Sequence, residues 1–110
     1  ELIEFFYQGR YIGHIVFYCL NSNVLTITRI YLTPNYMGKN FQEPMLKILS
    51  ELYDSIEKFE IIVNENLNTY KEREFYYNQL GFTKDENIED KYFDIANKKI
   101  RLFKMEKILQ

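Results

Sequence analysis

The chain has 110 residues, of which 46% are hydrophobic, 27% charged and 17% aromatic, the aromatics all Tyr and Phe. That length holds one domain, residues 1–110, with a modest core, and the composition is that of an ordinary globular protein. A net charge of −2 offers no basic field to nucleic acid or an anionic membrane, and no apolar run reaches the ~18–20 residues that span a bilayer.

The lone Cys19 excludes an internal disulfide, suits a reducing, cytoplasmic compartment, and reads as a buried thiol. The chain begins with Glu1, inside a predicted strand, and so reads as part of a longer protein whose N-terminal portion is missing.

In chain order, "LIEFFYQGRYIGHIVFYCL" is rich in aromatic and β-branched residues and is broken at Gln8-Gly9-Arg10, which predicts a hairpin pairing 2–7 with 11–20. Asn21, Ser22 and Asn23 supply turn chemistry. "VLTITRIYL" (24–32) alternates as a third strand and is stopped by Thr33-Pro34. A loop with the single Gly38 follows. Met45, Leu49, Leu52, Ile56 and Phe59 are then spaced as one apolar stripe, which predicts a helix over 44–57 with Pro44 in its first turn.

"FEIIV" (59–63) is a short buried strand, parallel to 24–32 if the intervening helix is a crossover. Thr69 and Glu72 form a capping box that opens a second helix, and Gly81 ends it. "KYFDI" and "IRLFKM" flank residues 96–99 as a last hairpin. The order β-β-β-α-β-α-β-β is an α+β fold, a mixed sheet with two helices packed on it.

The order of elements, together with "IYLTPNYMGKNFQ" and "FYYNQLGF", resembles the GNAT superfamily of N-acetyltransferases. The resemblance covers nearly the whole chain and lacks the family's first strand and the helices after it. Aligning Gly81-Phe82 with the family's Gly-Phe puts Tyr77 at the family tyrosine, which sits near the cofactor sulfur and protonates the departing thiolate. Tyr76 then falls where the family has Phe. On a helix, Tyr76 shares a face with Leu80, while Tyr77 is turned about 100° away, so one tyrosine reads as wall and the other as reagent.

The resemblance implies that the loop Met37, Gly38, Lys39, Asn40, Phe41 and Gln42 lies against the pyrophosphate of coenzyme A at a helix N-terminus, where backbone amides and the helix dipole receive anions. The loop departs from the family pattern. Met37 stands at the usual Arg/Gln position, and Asn40 and Gln42 replace small residues. Pro44 removes one amide, and Glu43 adds a negative charge that Lys39 offsets. Ile30, Tyr31 and Leu32 map to the strand end whose backbone holds the pantetheine arm and the acetyl carbonyl. The splay between strands 24–32 and 59–63 is then the cofactor's entry.

A general base is harder to place. Strand 24–32 carries Arg29 but no carboxylate, and Glu65, just past strand 59–63, is the candidate when counting back from Tyr77 but not when counting forward from Val63. The family's Asn before the helix maps to Asn66 or Asn68. His14, the only histidine, has no partner at ligand spacing, so no metal is expected and a structural role fits it best.

The reading is an N-acyltransferase that moves acetyl from acetyl-CoA to a primary amine of a small molecule or peptide. The alternative is a degenerate GNAT-like domain that binds a ligand or partner without catalysis. No nucleic-acid or membrane partner is expected. A homodimer is one assembly open to the chain, because an exposed final strand can pair across a two-fold axis.

Overall fold

The computed structural model describes residues 1–19, 21, 23–66, 70–84, 91–95 and 98–109. Its elements are β1 (Leu2–Tyr7), β2 (Arg10–Tyr18), β3 (Val24–Leu32), a 3-10 turn (Pro34–Tyr36), α1 (Gln42–Leu52), β4 (Lys58–Asn66), α2 (Tyr70–Gln79), β5 (Thr83–Lys84), β6 (Lys91–Ile95) and β7 (Lys98–Ile108). They form one mixed sheet in the order β1-β2-β3-β4-β7-β5, with β6 also paired to β7.

Local chemistry explains the meander. Gln8 and Gly9 take φ of 51° and 79°, so the two-residue turn between Tyr7 and Arg10 has the left-handed backbone that a tight hairpin needs. Asn21 accepts the backbone N–H of Asn23 and of Val24 on its side-chain oxygen, closing an Asx turn that launches β3. Gly13 pairs with Leu32, and a Cβ built on it would lie 2.0 Å from the Tyr31 carbonyl oxygen. Only a glycine lets β2 and β3 approach this closely.

β3 and β4 run parallel, joined through α1. Alternation sorts the sheet into two faces. Ile15, Phe17, Leu25, Ile27, Phe59, Ile61, Val63, Phe103 and Met105 form a core with Met45, Leu46 and Leu49 of α1 and Tyr77 of α2. The opposite face carries Glu4, His14 and Tyr31 in one cross-strand row. On the same face the charged row of Lys58, Glu60, Lys104 and Glu106 is laced by ion pairs of 3.0–3.6 Å.

The expected helix over 44–57 is corrected at both ends: α1 begins at Gln42 and stops at Leu52. Tyr53 leaves helical angles at φ −125°, ψ 68°, and its ring packs edge-on against Phe17. The turn returns Ile56 to the core without a helix, while Leu52, 61% exposed, does not join the stripe. β4 runs to Asn66, so Glu65 lies inside the strand, opposite Arg101 of β7, and not beyond it. β7 is longer than expected, and the short β5 pairs with it as well. Cys19 is exposed just past β2 and is not the buried thiol the sequence suggests. Thr69 of the expected capping box lies outside the described residues. No helix among the described residues is long and apolar enough to cross a membrane.

The end of α2 is a Schellman motif. Gly81, at φ 94°, donates its N–H to Asn78, and Phe82 donates to the carbonyl of Tyr77. The apolar contact that accompanies this motif is the Tyr77–Phe82 pair, with ring centroids 6.0 Å apart. Sequence and packing therefore agree on why a tyrosine stands four residues before this glycine.

Candidate active site

Parallel pairing between β3 and β4 stops at Ile27–Ile61, yet β3 runs on to Leu32 and β4 to Asn66. Each strand stays paired on its far side, β3 with β2 as far as Gly13–Leu32 and β4 with β7 as far as Asn66–Ile100. The sheet is thus split between its two central strands. Thr33 donates its N–H to Ile12 on β2, so by alternation Ile30 and Leu32 direct their backbone groups toward the split. Among the described residues those groups meet no strand there, which leaves them open to an extended, amide-bearing ligand.

A cavity of about 580 Å³ opens at this split. Its walls are Arg29, Ile30, Tyr31, Leu32, Met37, Gly38, Gln42 and Tyr76. Four of them are consecutive on β3, so the cavity follows the strand's open edge. Its volume falls within the ~300–1,000 Å³ range of small-molecule sites.

The loop at its mouth is held by aromatics. Phe41 packs edge-on against Tyr7 of β1 and Tyr36 of the 3-10 turn, with centroids 5.3 and 5.1 Å away. Gly38 and Asn40 both take left-handed angles, φ 74° and 61°. Asn tolerates this conformation better than most residues, so its presence in place of a small residue keeps the loop's path. The first bond of α1 runs from Met45 N–H to Phe41 O. The amides of Gln42 and Glu43 thus precede it and lack intrahelical acceptors. The N-cap residue, Phe41, supplies no side-chain cap. Pro44 has no amide to offer, and the exposed Glu43 carboxylate competes for the positive end of the helix.

The structure brings together Ile30, Tyr31, Leu32, Met37, Gly38 and Gln42 from the sequence-derived set. Lys39 and Asn40 lie exposed on the same loop but are not among the walls, and Phe41 is its half-buried anchor. Glu65 is on the β4 side of the split, while Asn68 lies outside the described residues. Tyr77, 8% exposed, belongs to the core, and its neighbour Tyr76, 5.2 Å away between centroids, is the one of the pair that lines the cavity.

Arg29 is a site residue to which the sequence assigned no role. Its guanidinium carbon lies 5.4 Å from the centroid of the Tyr31 ring. The signal was its i, i+2 spacing to Tyr31, which puts both on one face of β3. His14 adds to that face, with its ring 5.1 Å from Tyr31 and its Nδ1 hydrogen-bonded to the Tyr11 hydroxyl. Desolvation first, and then the Glu4 carboxylate, raise the Tyr11 pKa above the ordinary phenol value. Among the described residues no group of His, Cys, Asp and Glu is arranged to hold a metal ion.

No family model and no curated protein matches the sequence. Solved structures do match. A GNAT family acetyltransferase from Elizabethkingia anophelis, with acetyl-CoA bound, superposes with a TM-score of 0.69 at 14% identity, over 98% of this chain and 75% of that one. The PaiA N-acetyltransferase from Thermoplasma acidophilum, in complex with coenzyme A, gives 0.60 at 20% identity over 98% and 60%. The ribosomal-protein-S18-alanine N-acetyltransferase from Escherichia coli gives 0.71 at 13% identity over 100% and 69%.

At such identities the likeness establishes architecture: the chain has the GNAT acetyltransferase fold, with its central sheet split at one end. The chain spans 60–75% of the length of these three structures.

Proposed function

We propose that this domain binds acetyl-CoA in the split of the sheet and transfers the acetyl group to a primary amine. The observation that carries the reading is the β3–β4 ladder ending at Ile27–Ile61 directly beside the cavity and the Met37–Gln42 loop. In this reading the open edge of β3, at Ile30 and Leu32, hydrogen-bonds the pantetheine amides. The loop amides and those of Gln42 and Glu43 face the pyrophosphate, with Lys39 as the nearby cation.

The neutral amine attacks the thioester carbonyl carbon, and the Leu32 amide stabilises the oxygen's developing charge. The C–S bond then breaks, and the thiolate takes one proton from a phenol, while the amine proton passes to a carboxylate or to water. Two phenols line the cavity, Tyr31 and Tyr76; Tyr31 packs against the Arg29 guanidinium and the His14 ring, so we assign the proton to Tyr76 of α2. Tyr77, the position implied by family resemblance, stands behind it as the competing assignment. Glu65 is the candidate base, from the β4 side of the split. Asn68 is retained as a cofactor contact on the resemblance alone.

A second reading, a degenerate binding domain without catalysis, draws on Glu43 and on Gln42, which places a side chain at the cavity where phosphate must approach. Incubation of the full chain with acetyl-CoA and a panel of amines, followed by mass spectrometry of the amines and assay of released thiol, separates the two. Acetylated amine with matching thiol supports transfer. Bound acetyl-CoA with neither product supports the degenerate domain.

A further inference from the structure

We propose that the acceptor amine carries a carboxylate, received by the Arg29 guanidinium where it lies over the Tyr31 ring at the cavity wall. The inference rests on the acetyl-transfer reading and adds to it a substrate class.

The first observation is charge. None of the eight described residues that line the cavity is acidic, and Arg29 is the one cation among them. A second ammonium on the acceptor would meet the Arg29 cation on the β3 wall. A carboxylate would face a fixed partner.

The second observation is what Arg29 lacks. Two described cations on this face of the sheet are neutralised within the chain: Lys58 by Glu60 and Glu106, and Lys104 by Glu60. Among the described residues no carboxylate forms an ion pair with Arg29, and its described contact is the Tyr31 ring. Glu4 is the acidic side chain further along the same row, separated from Tyr31 by His14. Glu4 forms no ion pair with Arg29.

The third observation is geometry. A guanidinium resting on an aromatic ring keeps its planar fork oriented, and two parallel N–H groups match the two oxygens of a carboxylate. Arg29 lies three strand residues before Leu32, roughly 10 Å along β3. Allowing for the reach of the Arg side chain, an amine held beside Leu32 would place its anionic group a few bonds away. Phosphate would satisfy the same fork, so the test includes it.

Initial rates with acetyl-CoA would be measured on three four-carbon amines, 4-aminobutyrate, butylamine and 1,4-diaminobutane, and on O-phosphoethanolamine. The expected order puts 4-aminobutyrate first by at least about tenfold in kcat/KM, with the diamine last. Arg29→Gln should remove about 10–100-fold of that preference, mainly through KM, and Arg29→Lys should restore part of it.

Equal rates on the four-carbon set, or preference for the diamine or the phosphate ester, overturn the inference. So does a preference that survives Arg29→Gln while acetyl-CoA affinity falls, since Arg29 would then serve the cosubstrate. Calorimetry of acetyl-CoA separates the levels. Binding with transfer to the plain amines but no preference for 4-aminobutyrate overturns the carboxylate assignment alone, whereas binding without any transfer, or no binding, removes the reading beneath it and the inference together.

Discussion

Gly13→Ala tests the architecture of the site through a single methyl group. The added Cβ would lie 2.0 Å from the Tyr31 carbonyl oxygen, 3.0 Å from its carbon and 3.1 Å from the Leu32 Cα, all backbone atoms. Ordinary contact begins at 3.4 Å, so the strands must separate by more than an ångström. Gly13 does not occupy the left-handed region, so the variant incurs no backbone strain of its own. Against rigid backbone the overpacking cost lies at the upper end of the usual range, about 2–3 kcal/mol, offset by up to ~1 kcal/mol from the stiffer unfolded chain, a net of about 1–3 kcal/mol. For a domain of this size the melting temperature should fall by roughly 4–15 °C.

The Tyr31 carbonyl and the Leu32 N–H belong to one trans peptide and point opposite ways. Pushing one away from β2 therefore moves the other, on the open edge. Circular dichroism melts should show the loss of stability, and acetyl-CoA titration should show weaker binding even below the melt. A variant that melts within a degree of the parent and binds the ligand equally well would refute the close approach of β2 and β3.

Tyr76→Phe should lower kcat by about 100-fold or more with acetyl-CoA binding retained, as expected for a lost proton donor, and Tyr77→Phe should not match it; the reverse ranking in a thiol-release assay would return the acid to Tyr77. Tyr77→Ala should cost about 3–5 kcal/mol in urea unfolding, because it empties a core position and removes the Phe82 contact that closes α2. The Lys58 pKa is raised above 10.5, chiefly by its hydrogen bond to Glu106. Its stabilisation is therefore fully present below about pH 10.5 and is lost as pH rises through the higher folded value, so the urea-midpoint gap between the parent and Lys58→Met should close in strong alkali. Desolvation and the Glu1 carboxylate push the Cys19 thiol up, so iodoacetamide should modify it at neutral pH more slowly than a small free thiol, despite its exposure.

Much of the fold was legible because its punctuation is local. Gln8-Gly9, Asn21, Pro34 and Gly81 each dictate a turn, a start or a stop through the backbone angles or hydrogen bonds they favour, and the structure uses each of them in that way. The errors arose where tertiary contacts override local pattern. The stripe Met45, Leu49, Leu52, Ile56 continues in helical spacing through a turn, because Ile56 reaches the core by another path and Tyr53 fills the gap beside Phe17. Asn64, Glu65 and Asn66 have poor strand propensity, yet pairing with residues 100–102 of β7 extends β4 through them.

At the site, the loop and strand end could be read because Gly38 and Pro34 fix their register. Which ring of the Tyr76-Tyr77 pair lies in the core could not. Both residues fit a helix face, and only the Schellman closure onto Phe82 shows which ring is committed to the core. Arg29 escaped assignment for a related reason: what sets it apart is that no described carboxylate forms an ion pair with it, which sequence order does not display.

The most direct test of the central claim is an acetyl-CoA titration of the full chain, followed by calorimetry and by thermal melting, with Gly38→Trp alongside. Gly38 sits at φ 74° with open space around it, so the bulky residue would both strain the loop and obstruct the phosphate approach. The account predicts saturable binding. Ligand at a hundredfold over its dissociation constant should stabilise by about 2.7 kcal/mol, a rise of about ten degrees or more, and the variant should lose that rise. No heat and no shift at millimolar acetyl-CoA would contradict it, and would mean that the split sheet is retained in this chain for something other than acetyl transfer.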